Sequence, residues 1–371
     1  MKMMDSIPEA IEAIRRGEVI IVVDDEDREN EGDFLIAARH ATPEVVNFMA
    51  THGRGLICAP LIENRCDELG LELMVESNNA AYETPFTVSV DLIGHGCTTG
   101  ISAQDRSKTI QALIDPKTDP KSLGKPGHIF PLRAKKGGVL RRPGHTEAAI
   151  DFSRLAGFEP AGVIVEIMNE DGTMARLPEC RELAEKFNLK LVSIADLIEY
   201  RLQNETLIER KFETEIQTAF GEFKAIVFKQ LTNEVEHLAL VKGAWDINDE
   251  VPLRVHSTSM VGDVFQITDF GKGPMLHAAM QKIDEIGHGA IIYINKLRKG
   301  GGILDELKAY NKLKGTDRSF ENKMDAKDYG IGAQIIRQLG IQKCHVLTNT
   351  PRNPGPIGYG LEIIKTSPLT P

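Results

Sequence analysis

The chain has 371 residues, of which 42% are apolar and 26% are charged, and its formal net charge is -10. This length predicts two domains, because a single small core seldom organises so many residues. The negative net charge argues against sequence-independent binding of nucleic acid. The apolar runs are too short to span a bilayer, and the first eight residues lack the apolar core of a signal peptide.

Cysteine usage indicates a reducing compartment. The five cysteines are odd in number, are scattered along the chain and form no C-x-x-C pair. This pattern argues against a disulfide framework and against a cysteine zinc site, and it favours the cytoplasm. The cysteines are Cys58, Cys66, Cys97, Cys180 and Cys344.

In the first half of the chain, hydrophobic spacing predicts a helix that begins at Ile7 and ends before Gly17. A buried strand is expected over residues 19–23, and it runs directly into an acidic loop. Dense glycine and proline predict a loop-rich stretch over residues 94–144. The other elements expected here are a helix over 43–49 behind Thr42, a strand over 163–168, a helix over 178–188 and an extended segment over 189–194.

The second half begins where the patterns change, near Asn204, which divides the chain into domains of residues 1–204 and 205–371. A polar helical pattern covers residues 194–212 and crosses this boundary. Beyond it, alternation predicts strands of an antiparallel sheet over residues 215–230 and 238–242. The remaining expected elements are helices over 275–286 and 331–339 and strands over 290–295 and 344–347.

The acidic loop carries seven carboxylates and one arginine in ten residues, from Asp24 to Asp33. One interpretation is a solvated acidic turn. The position directly after a buried strand favours a functional site, because loops at strand ends often carry function. Neighbouring carboxylates repel one another unless a cation or an arginine lies close. Oxygen ligands of this kind suit magnesium or manganese.

Three other segments in the first half contain side chains that could take part in catalysis or binding. In residues 141–147, arginine, threonine and glycine-exposed backbone N–H groups can cradle a phosphate, and His145 is either a metal ligand or a surface histidine. His128 lies in a segment rich in glycine and proline, which is weak evidence when taken alone. Glu166 interrupts an apolar strand, where a carboxylate costs free energy unless it is paired, functional or turned outward. Its functional interpretation is a general base.

Taken together, these segments resemble the 3,4-dihydroxy-2-butanone 4-phosphate synthase family along the whole of the first half of the chain. Several long blocks in a fixed order are far more specific than any single short motif. The resemblance favours an α+β fold with mixed or antiparallel sheets covered by helices. The matching blocks are DDEDRENEGD at 24–33, FTVSVD at 86–91, TTGISAQDR at 98–106, PGHIFPLRA at 126–134, GGVLRRPGHTEA at 137–148 and DGTMAR at 171–176.

The resemblance also implies roles for single residues. Glu29 and His145 match the metal ligands, for Mg²⁺ or Mn²⁺. His128 and Glu166 match positions that catalysis needs, and Glu31 is expected to assist proton transfer. The substrate contacts that it implies are Arg28, Asp33, Arg142 and Thr146, the last two near the phosphate.

The reaction of the resembled family makes chemical sense of these groups. Its substrate is ribulose 5-phosphate, which loses a proton next to its carbonyl to form an enediol. Dehydration and a skeletal shift follow, and one carbon is expelled as formate. Carboxylates and histidine can move the protons, and a divalent cation can stabilise the enolate. The family further implies a homodimer through the N-terminal domain, with active sites near the subunit interface.

Residues 205–371 resemble GTP cyclohydrolase II more distantly, and two such domains are familiar as a fusion. The family holds zinc with three cysteines, and those positions here read Ser259, Phe270 and Lys272. Asp325 matches a catalytic aspartate, but the catalytic arginine two residues later is Lys327, and the GTP-contacting loop over residues 295–302 lacks its glutamate. The resemblance rests on LALVKG at 238–243, RVHS at 254–257, GD at 262–263, DYGIGAQI at 328–335, LTN at 347–349 and GYGLEI at 358–363.

Three hypotheses about the second half follow from these substitutions. The leading one is a cyclohydrolase-like domain without that activity and without zinc. The second is a bifunctional enzyme with an alternative metal site, for which the nearby spare histidines are His256, His277 and His288. The third is a binding or assembly module. Zinc analysis together with a GTP turnover assay distinguishes an enzyme from a module.

Overall fold

The computed structural model of the chain describes residues 4–26, 28–80, 82, 84–267, 272–295, 303, 307–308, 311, 326–349 and 361–369, without the side chains of 272 and 326–329. It divides the chain into unit 1, Met1–Tyr200, and unit 2, Arg201–Pro371. The boundary expected near Asn204 lies four residues after this division. No helix in the described parts of the chain is long and apolar enough to cross a membrane.

Unit 1 contains a seven-stranded mixed sheet in the order β4-β5-β3-β6-β2-β1-β7. The pairs β1–β7 and β3–β5 are parallel, and the other neighbours are antiparallel. The strands are β1 (Ile20–Val23), β2 (Gly32–Ala37), β3 (Cys58–Ile62), β4 (Val90–Leu92), β5 (Leu123–Ala134), β6 (Gly162–Glu166) and β7 (Lys190–Ser193).

Helices cover both faces of this sheet. Ile20 and Val22 of β1 pack with α1, α5 and α7, whereas Ile21 and Val23 pack with α2, α4 and α6. Both faces of the strand are therefore apolar, which explains why its sequence is continuous rather than alternating. The helices are α1 (Ile7–Arg15), α2 (Pro43–Gly53), α3 (Glu63–Glu68), α4 (Ala103–Ile114), α5 (His145–Leu155), α6 (Leu177–Phe187) and α7 (Ile194–Asn204).

The predicted caps Gly17 and Thr42 lie at the ends of helices, and a capping box that was not predicted begins α1. Ser6 and Glu9 form a reciprocal capping box at the start of α1, and Gly17 follows the helix with a φ of +81°. The Thr42 hydroxyl accepts a hydrogen bond of 3.3 Å from the Val45 N–H, which fixes the first turn of α2.

Two predicted segments differ from the structure. The stretch 94–144, expected to be rich in loops, contains the twelve-residue helix α4 and the twelve-residue strand β5. Glycine is required at position 127 of β5, because a Cβ there would stand 2.0 Å from the carbonyl carbon of Val90 in β4. The helical pattern expected to reach residue 212 ends at Asn204, and a strand begins at Ile208.

Unit 2 contains a second seven-stranded mixed sheet, in the order β14-β13-β11-β12-β10-β9-β8. Each strand pairs with the next in two series. The pairing is antiparallel along the series β8, β9, β10 and β12, and parallel along the series β12, β11, β13 and β14. The strands are β8 (Ile208–Thr218), β9 (Gly221–Gln230), β10 (Glu236–Lys242), β11 (Glu250–Ser257), β12 (Gly289–Ile294), β13 (Lys343–Leu347) and β14 (Glu362–Ser367).

Helices of unit 2 accompany this sheet, and its core includes Phe223, Ala279 and Ile291. The described helices are α8 (Met260–Asp263), α9 (Lys272–Ile286) and α10 (Ala326–Gln338). The helix expected over 275–286 falls within α9, and the one expected over 331–339 extends one residue beyond the end of α10. Two domains, each with a mixed sheet and helices, confirm the predicted α+β class.

Candidate active site

The acidic segment forms the loop of a hairpin, because Val23 at the end of β1 pairs with Gly32 at the start of β2. The carboxylate of Asp24 organises this loop. It accepts hydrogen bonds from the backbone N–H of Glu29 (3.2 Å) and of Glu31 (2.8 Å), and from Nη1 of Arg28 (2.7 Å). The run is thus an ordered loop over most of its length, although Asp25 and Glu26 in it are exposed.

His145 is the first residue of α5 and is buried against this loop. Its Nε2 lies 3.1 Å from the carbonyl oxygen of Val22, so that nitrogen donates a hydrogen. Its Nδ1 lies 3.8 Å from Oε2 of Glu29 and 3.8 Å from Oδ1 of Asp33. A ring that donates through one nitrogen to a backbone carbonyl and presents the other to carboxylates has the arrangement typical of a metal-ligating histidine.

The charges around His145 set its protonation in the absence of a cation. Burial lowers the pKa of His145, but the carboxylates of Asp33, Glu29 and Asp24 outweigh burial and raise the pKa to about 9. Burial also raises the pKa of Glu29, and His145 and Arg28 reverse this shift so that the pKa lies below its ordinary value. A proton on His145 therefore neutralises part of the negative charge of the acidic cluster, as a bound cation would.

Asp33 belongs to β2 and is fully buried, and its Oδ1 accepts no hydrogen bond from any residue that the structure describes. Burial raises the pKa of Asp33 to about 7; His145 opposes this shift, and Glu166 and Glu29 add to it. A buried oxygen without a donor costs free energy, so this carboxyl is suited to a partner that arrives with the ligand.

Glu166 is the last residue of β6, and it pairs in register with Asp33 of β2. The strand therefore ends at this carboxylate, which lies beside the acidic loop rather than in the middle of a strand. Its Oε2 accepts a hydrogen bond of 2.9 Å from the Leu56 N–H. A Cβ at Gly55 would stand 2.6 Å from the same oxygen, so the close approach of this backbone needs glycine.

Glu31 lies in the acidic loop at the edge of the same cluster. Burial and the neighbouring Glu29 raise the pKa of Glu31, and Arg176 opposes them from 3.8 Å. Arg176 also donates a hydrogen bond of 2.8 Å to the carbonyl oxygen of Glu29. The guanidinium thus holds the end of the loop from the side of α6.

Two arginines converge on the turn before α5. A Cβ at Gly144 would stand 2.4 Å from Nη1 of Arg142 and 3.1 Å from Nη2 of Arg28. Thr146 is buried in the first turn of the same helix. Guanidinium groups, a hydroxyl and the N-terminus of a helix together favour an anion of phosphate size.

The arginines are themselves held by neighbouring groups. Nη1 of Arg142 donates to Oε2 of the fully buried Glu147 at 2.8 Å, and its Nη2 donates to the carbonyl oxygen of Tyr82 at 3.0 Å. The guanidinium of Arg28 lies 5.2 Å from the centre of the Tyr82 ring, and the Tyr82 hydroxyl donates to the carbonyl oxygen of Arg28. Arg28 and Arg142 are thus connected through one tyrosine.

His128 lies apart from this cluster, and its side chain contacts Asp91. The register joins Phe130 of β5, Cys58 of β3 and Ile164 of β6 in one row. The regular pairing of β5 with β3 begins at Phe130, and the register of β5 with β4 shifts between Ile129 and Gly124, so His128 lies in an irregular part of the strand.

The structure thus brings eight of the nine predicted residues together, and the ninth, His128, contacts Asp91 instead. Among described residues, Asp24, Glu29 and His145 present ligand atoms that all lie within 4.8 Å of one another. Sequence reasoning missed the contributions of Asp24, Tyr82, Asp91, Glu147 and Arg176, although all except Tyr82 lie within the matching blocks. The eight residues are Arg28, Glu29, Glu31, Asp33, Arg142, His145, Thr146 and Glu166.

In unit 2, the first of the three substituted zinc positions has a structural role. The Ser259 hydroxyl caps α8 by accepting a hydrogen bond of 3.1 Å from the Gly262 N–H. Asp263 accepts from Nε2 of His256 at 2.9 Å and from the Tyr293 hydroxyl at 2.9 Å. Several other expected positions lie outside the described residues or side chains: Phe270, Lys272, Asp325, Lys327 and the loop from residue 296 to 302.

Comparison with known proteins assigns a family to each unit. The family model of 3,4-dihydroxy-2-butanone 4-phosphate synthase matches residues 8–200, and that of GTP cyclohydrolase II matches residues 209–368. The chain is 58% identical to the riboflavin biosynthesis protein RibBA of Cytophaga hutchinsonii, over 99% of this chain and 92% of the relative. It is 51% identical to RibBA of Bacillus subtilis, over 99% of this chain and 94% of that protein.

The chain belongs to the RibBA family. It combines a synthase domain and a domain of the GTP cyclohydrolase II family, and it is a 3,4-dihydroxy-2-butanone 4-phosphate synthase of riboflavin biosynthesis. The structure of RibBX, a two-domain 3,4-dihydroxy-2-butanone 4-phosphate synthase from A. baumannii, covers 99% of this chain and is itself covered completely, with 39% identity and a TM-score of 0.77. A synthase structure in complex with two magnesium ions covers 54% of this chain and is covered to 98%, with 42% identity and a TM-score of 0.52.

Proposed function

We propose that unit 1 converts ribulose 5-phosphate to formate and 3,4-dihydroxy-2-butanone 4-phosphate with Mg²⁺ or Mn²⁺ held by Glu29 and His145. The observation that carries this proposal is that Nδ1 of His145 lies 3.8 Å from Oε2 of Glu29 and 3.8 Å from Oδ1 of Asp33, an oxygen that accepts no hydrogen bond from any described residue. A magnesium-bound relative of the same family supports the choice of cation.

The residues present fit a hard divalent cation. Carboxylate oxygens and one imidazole are donors that Mg²⁺ and Mn²⁺ accept, and few protein ligands leave room for substrate oxygens. When bound, the cation supplies electrostatic stabilisation of negative charge on neighbouring substrate oxygens. Asp24 lies near enough to be a ligand, but its oxygens already accept backbone and Arg28 hydrogen bonds, so we assign it to holding the loop.

The substrate is anchored at its phosphate. Arg28, Arg142 and Thr146 surround the start of α5, where a dianion gains two guanidinium partners and the positive end of the helix. Anchoring one end of the sugar fixes the reacting carbons over the carboxylates, which replaces a bimolecular encounter by a positioned one. Asp33 then gains a substrate hydroxyl as the donor that its buried oxygen lacks.

Proton transfer falls to Glu166, Glu31 and His128. Glu166 takes the proton next to the substrate carbonyl, because its carboxylate lies at the strand end beside Asp33 and is oriented by the Leu56 N–H. Glu31 assists from the loop, where burial and Glu29 raise its pKa above the ordinary value. His128 exchanges a proton at the other end of the sugar.

The remaining proposals concern partners and compartment. We propose that the protein is a homodimer through unit 1, with active sites near the subunit interface, as the family resemblance implies. Its partner is the small sugar phosphate and not a nucleic acid, which the net charge of -10 supports. The reducing cytoplasm is the proposed compartment, and the five cysteines, all free in the structure, support it.

For unit 2 we propose a cyclohydrolase-like domain that does not open the ring of GTP and carries no zinc. The cap role of Ser259 and the name of RibBX, a two-domain chain described by its synthase activity, support this proposal. The alternative is a bifunctional enzyme, which the match of unit 2 to the cyclohydrolase family and the names of the RibBA relatives favour. A binding or assembly module is the third candidate.

The proposed function of unit 1 is tested by assaying formate release from ribulose 5-phosphate. The full chain is stripped with a chelator and then supplied with Mg²⁺, Mn²⁺, Ca²⁺ or buffer alone. We expect Mg²⁺ and Mn²⁺ to restore turnover from a level at least about tenfold lower, since they supply the enolate stabilisation. Undiminished turnover after complete removal of divalent cations would contradict the metal role.

A further inference from the structure

His128 is paired with a carboxylate to which none of the roles above applies. Its Nδ1 lies 2.6 Å from Oδ2 of Asp91, and its backbone N–H donates to Oδ1 of the same carboxylate at 2.9 Å. The side chain of Asp91 is 19% exposed and that of His128 is 45% exposed. Both oxygens of one carboxylate thus contact a single residue, and this two-point contact fixes the direction of the ring.

The fold around Asp91 allows this close contact. Asp91 lies in β4 and His128 lies in β5. The two strands pair through the neighbouring residues Val90 and Ile129. Gly100 has a φ of +93°, and a Cβ there would stand 2.1 Å from Oδ2 of Asp91. Gly127 allows the backbone of β4 to approach β5 in the same way. Two glycines therefore keep open the space in which the carboxylate reaches the ring.

The pairing determines which ring nitrogen is available for chemistry. A carboxylate only accepts hydrogen bonds, so the neutral ring carries its hydrogen on Nδ1. The lone pair of Nε2 then points away from Asp91, and the described part of the chain contains no hydrogen bond to Nε2.

We propose that Asp91 is a positioning residue that holds His128 in its Nδ1–H tautomer, with Nε2 free to exchange a proton with the sugar phosphate. The proposal rests on the role given to His128 in the proposed function. Asp91 touches neither substrate nor cation and acts through the histidine. A purely local structural pair would affect folding, whereas a positioning pair sets the tautomer and the rate of turnover.

The substitution D91N reverses the hydrogen bond without changing the shape of the side chain. Its amide oxygen is expected to keep accepting from the His128 backbone N–H, which leaves the amide nitrogen about 2.6 Å from Nδ1, where Oδ2 stands in the native residue. That nitrogen donates, so the ring hydrogen moves to Nε2. We expect kcat for formate release to fall about tenfold or more while KM changes less than about twofold, because proton transfer rather than binding is lost.

The measurement combines kinetics of the full chain in Mg²⁺ with nitrogen NMR of histidine-labelled protein, in which H128Q identifies the His128 signals. Wild type should show the Nδ1–H tautomer and D91N the Nε2–H tautomer, with unchanged thermal unfolding. D119N is the matched control, since Asp119 accepts a backbone hydrogen bond from Lys121 in the turn before β5 and contacts no histidine in the described structure. D91E keeps a carboxylate and should retain the wild-type tautomer and a kcat above that of D91N.

Each outcome decides the matter. A D91N protein with the wild-type tautomer, or one with the reversed tautomer and wild-type kcat, would overturn the positioning role. Equal kcat for D91E and D91N would do the same, because the carboxylate would then be irrelevant. Wild-type kcat in H128Q would instead refute the role of His128 itself, so a failure of the proposed function is distinguished from a failure of the inference about Asp91.

Discussion

At the scale of single residues, the site is organised by what its carboxylates contact. Asp24 and Glu147 are buried but fully paired, so they hold the loop and Arg142 respectively. Asp33 is equally buried and has an oxygen without a donor. Burial without a partner destabilises the free protein, and such a cost is tolerated where a ligand removes it. We infer from this contrast that Asp24 and Glu147 hold the site in place and that Asp33 contacts the substrate.

The separation of ligand and base gives a prediction for three substitutions. E29Q and H145A should weaken Mg²⁺ binding and lower turnover together, because each removes a donor of the proposed metal site. E166Q should keep Mg²⁺ binding and still lower turnover, because it removes a base and not a ligand. Each loss of turnover should exceed about tenfold, a low estimate for a general acid or base. Calorimetric titration with Mg²⁺ and the formate assay measure the two effects.

E26Q is the matched control for these variants. Glu26 lies in the same acidic loop but is exposed, so its substitution removes one charge without touching the cluster. It should bind Mg²⁺ and turn over like the wild type. Wild-type turnover in E166Q, or an equal loss in E26Q and E29Q, would disprove the assignment of these roles.

At the scale of elements, the first helix shows how a cap makes stability depend on pH. Hydrogen bonds from the side chain and backbone of Ser6, together with Lys190, lower the pKa of Glu9 from 4.5 to about 2. A carboxyl whose pKa is lower in the folded state stabilises the fold above its unfolded pKa, and this contribution disappears as the pH falls through the folded pKa. The window for Glu9 is therefore about pH 4.5 to 2.

This window predicts the behaviour of E9Q, whose neutral amide does not titrate. Above pH 5, the amides of α1 should exchange hydrogen faster in E9Q than in the wild type. The difference should shrink between pH 4.5 and 2, because protonated Glu9 loses the same interaction. Hydrogen exchange followed by mass spectrometry of peptides covering α1 measures it, with E12Q as the control on the same helix. A difference that stays constant down to pH 2 would refute the link to Glu9.

Elements with local signals were predictable from the sequence, and those that depend on distant partners were not. β1 and the caps of α1 and α2 are encoded in a few neighbouring residues. β5 was missed because its glycines and prolines are typical of a loop, and only pairing with β3 and β4 makes it a strand. The register that sets Asp33 against Glu166 joins residues 133 positions apart, so spacing in the sequence could not reveal it.

At the scale of the whole molecule, the division into two units leaves one helix at the boundary. α7 runs from Ile194 to Asn204, and the structural division falls after Tyr200, within that helix. We keep the proposed domains at 1–204 and 205–371, because a boundary after Asn204 leaves α7 intact. All nine proposed site residues of the synthase lie before this boundary, so none of them belongs to unit 2.

The substitutions at the expected zinc site bear on whether unit 2 is a second enzyme. Ring opening of GTP needs a water activated by zinc, and tetrahedral zinc needs three protein ligands with one open position. The matching positions read Ser259, Phe270 and Lys272, which are a weak neutral donor, a side chain without a lone pair and a cation at neutral pH. The resemblance also puts Lys327 where the family has a catalytic arginine, which supports the same proposal independently.

We therefore expect the purified full chain to contain little zinc and to form no pyrimidine product from GTP, under conditions in which it releases formate from ribulose 5-phosphate. Elemental analysis and a GTP turnover assay on the same preparation test both points, with a zinc-containing GTP cyclohydrolase II run in parallel as the positive control. The formate assay on that preparation shows that unit 1 is folded and active, and limited proteolysis of the same preparation shows whether unit 2 is folded, which a negative result with GTP requires. Near-stoichiometric zinc with steady turnover of GTP would establish the bifunctional alternative, and it would require a ligand set other than the three substituted positions, since Ser259 already serves as the cap of α8.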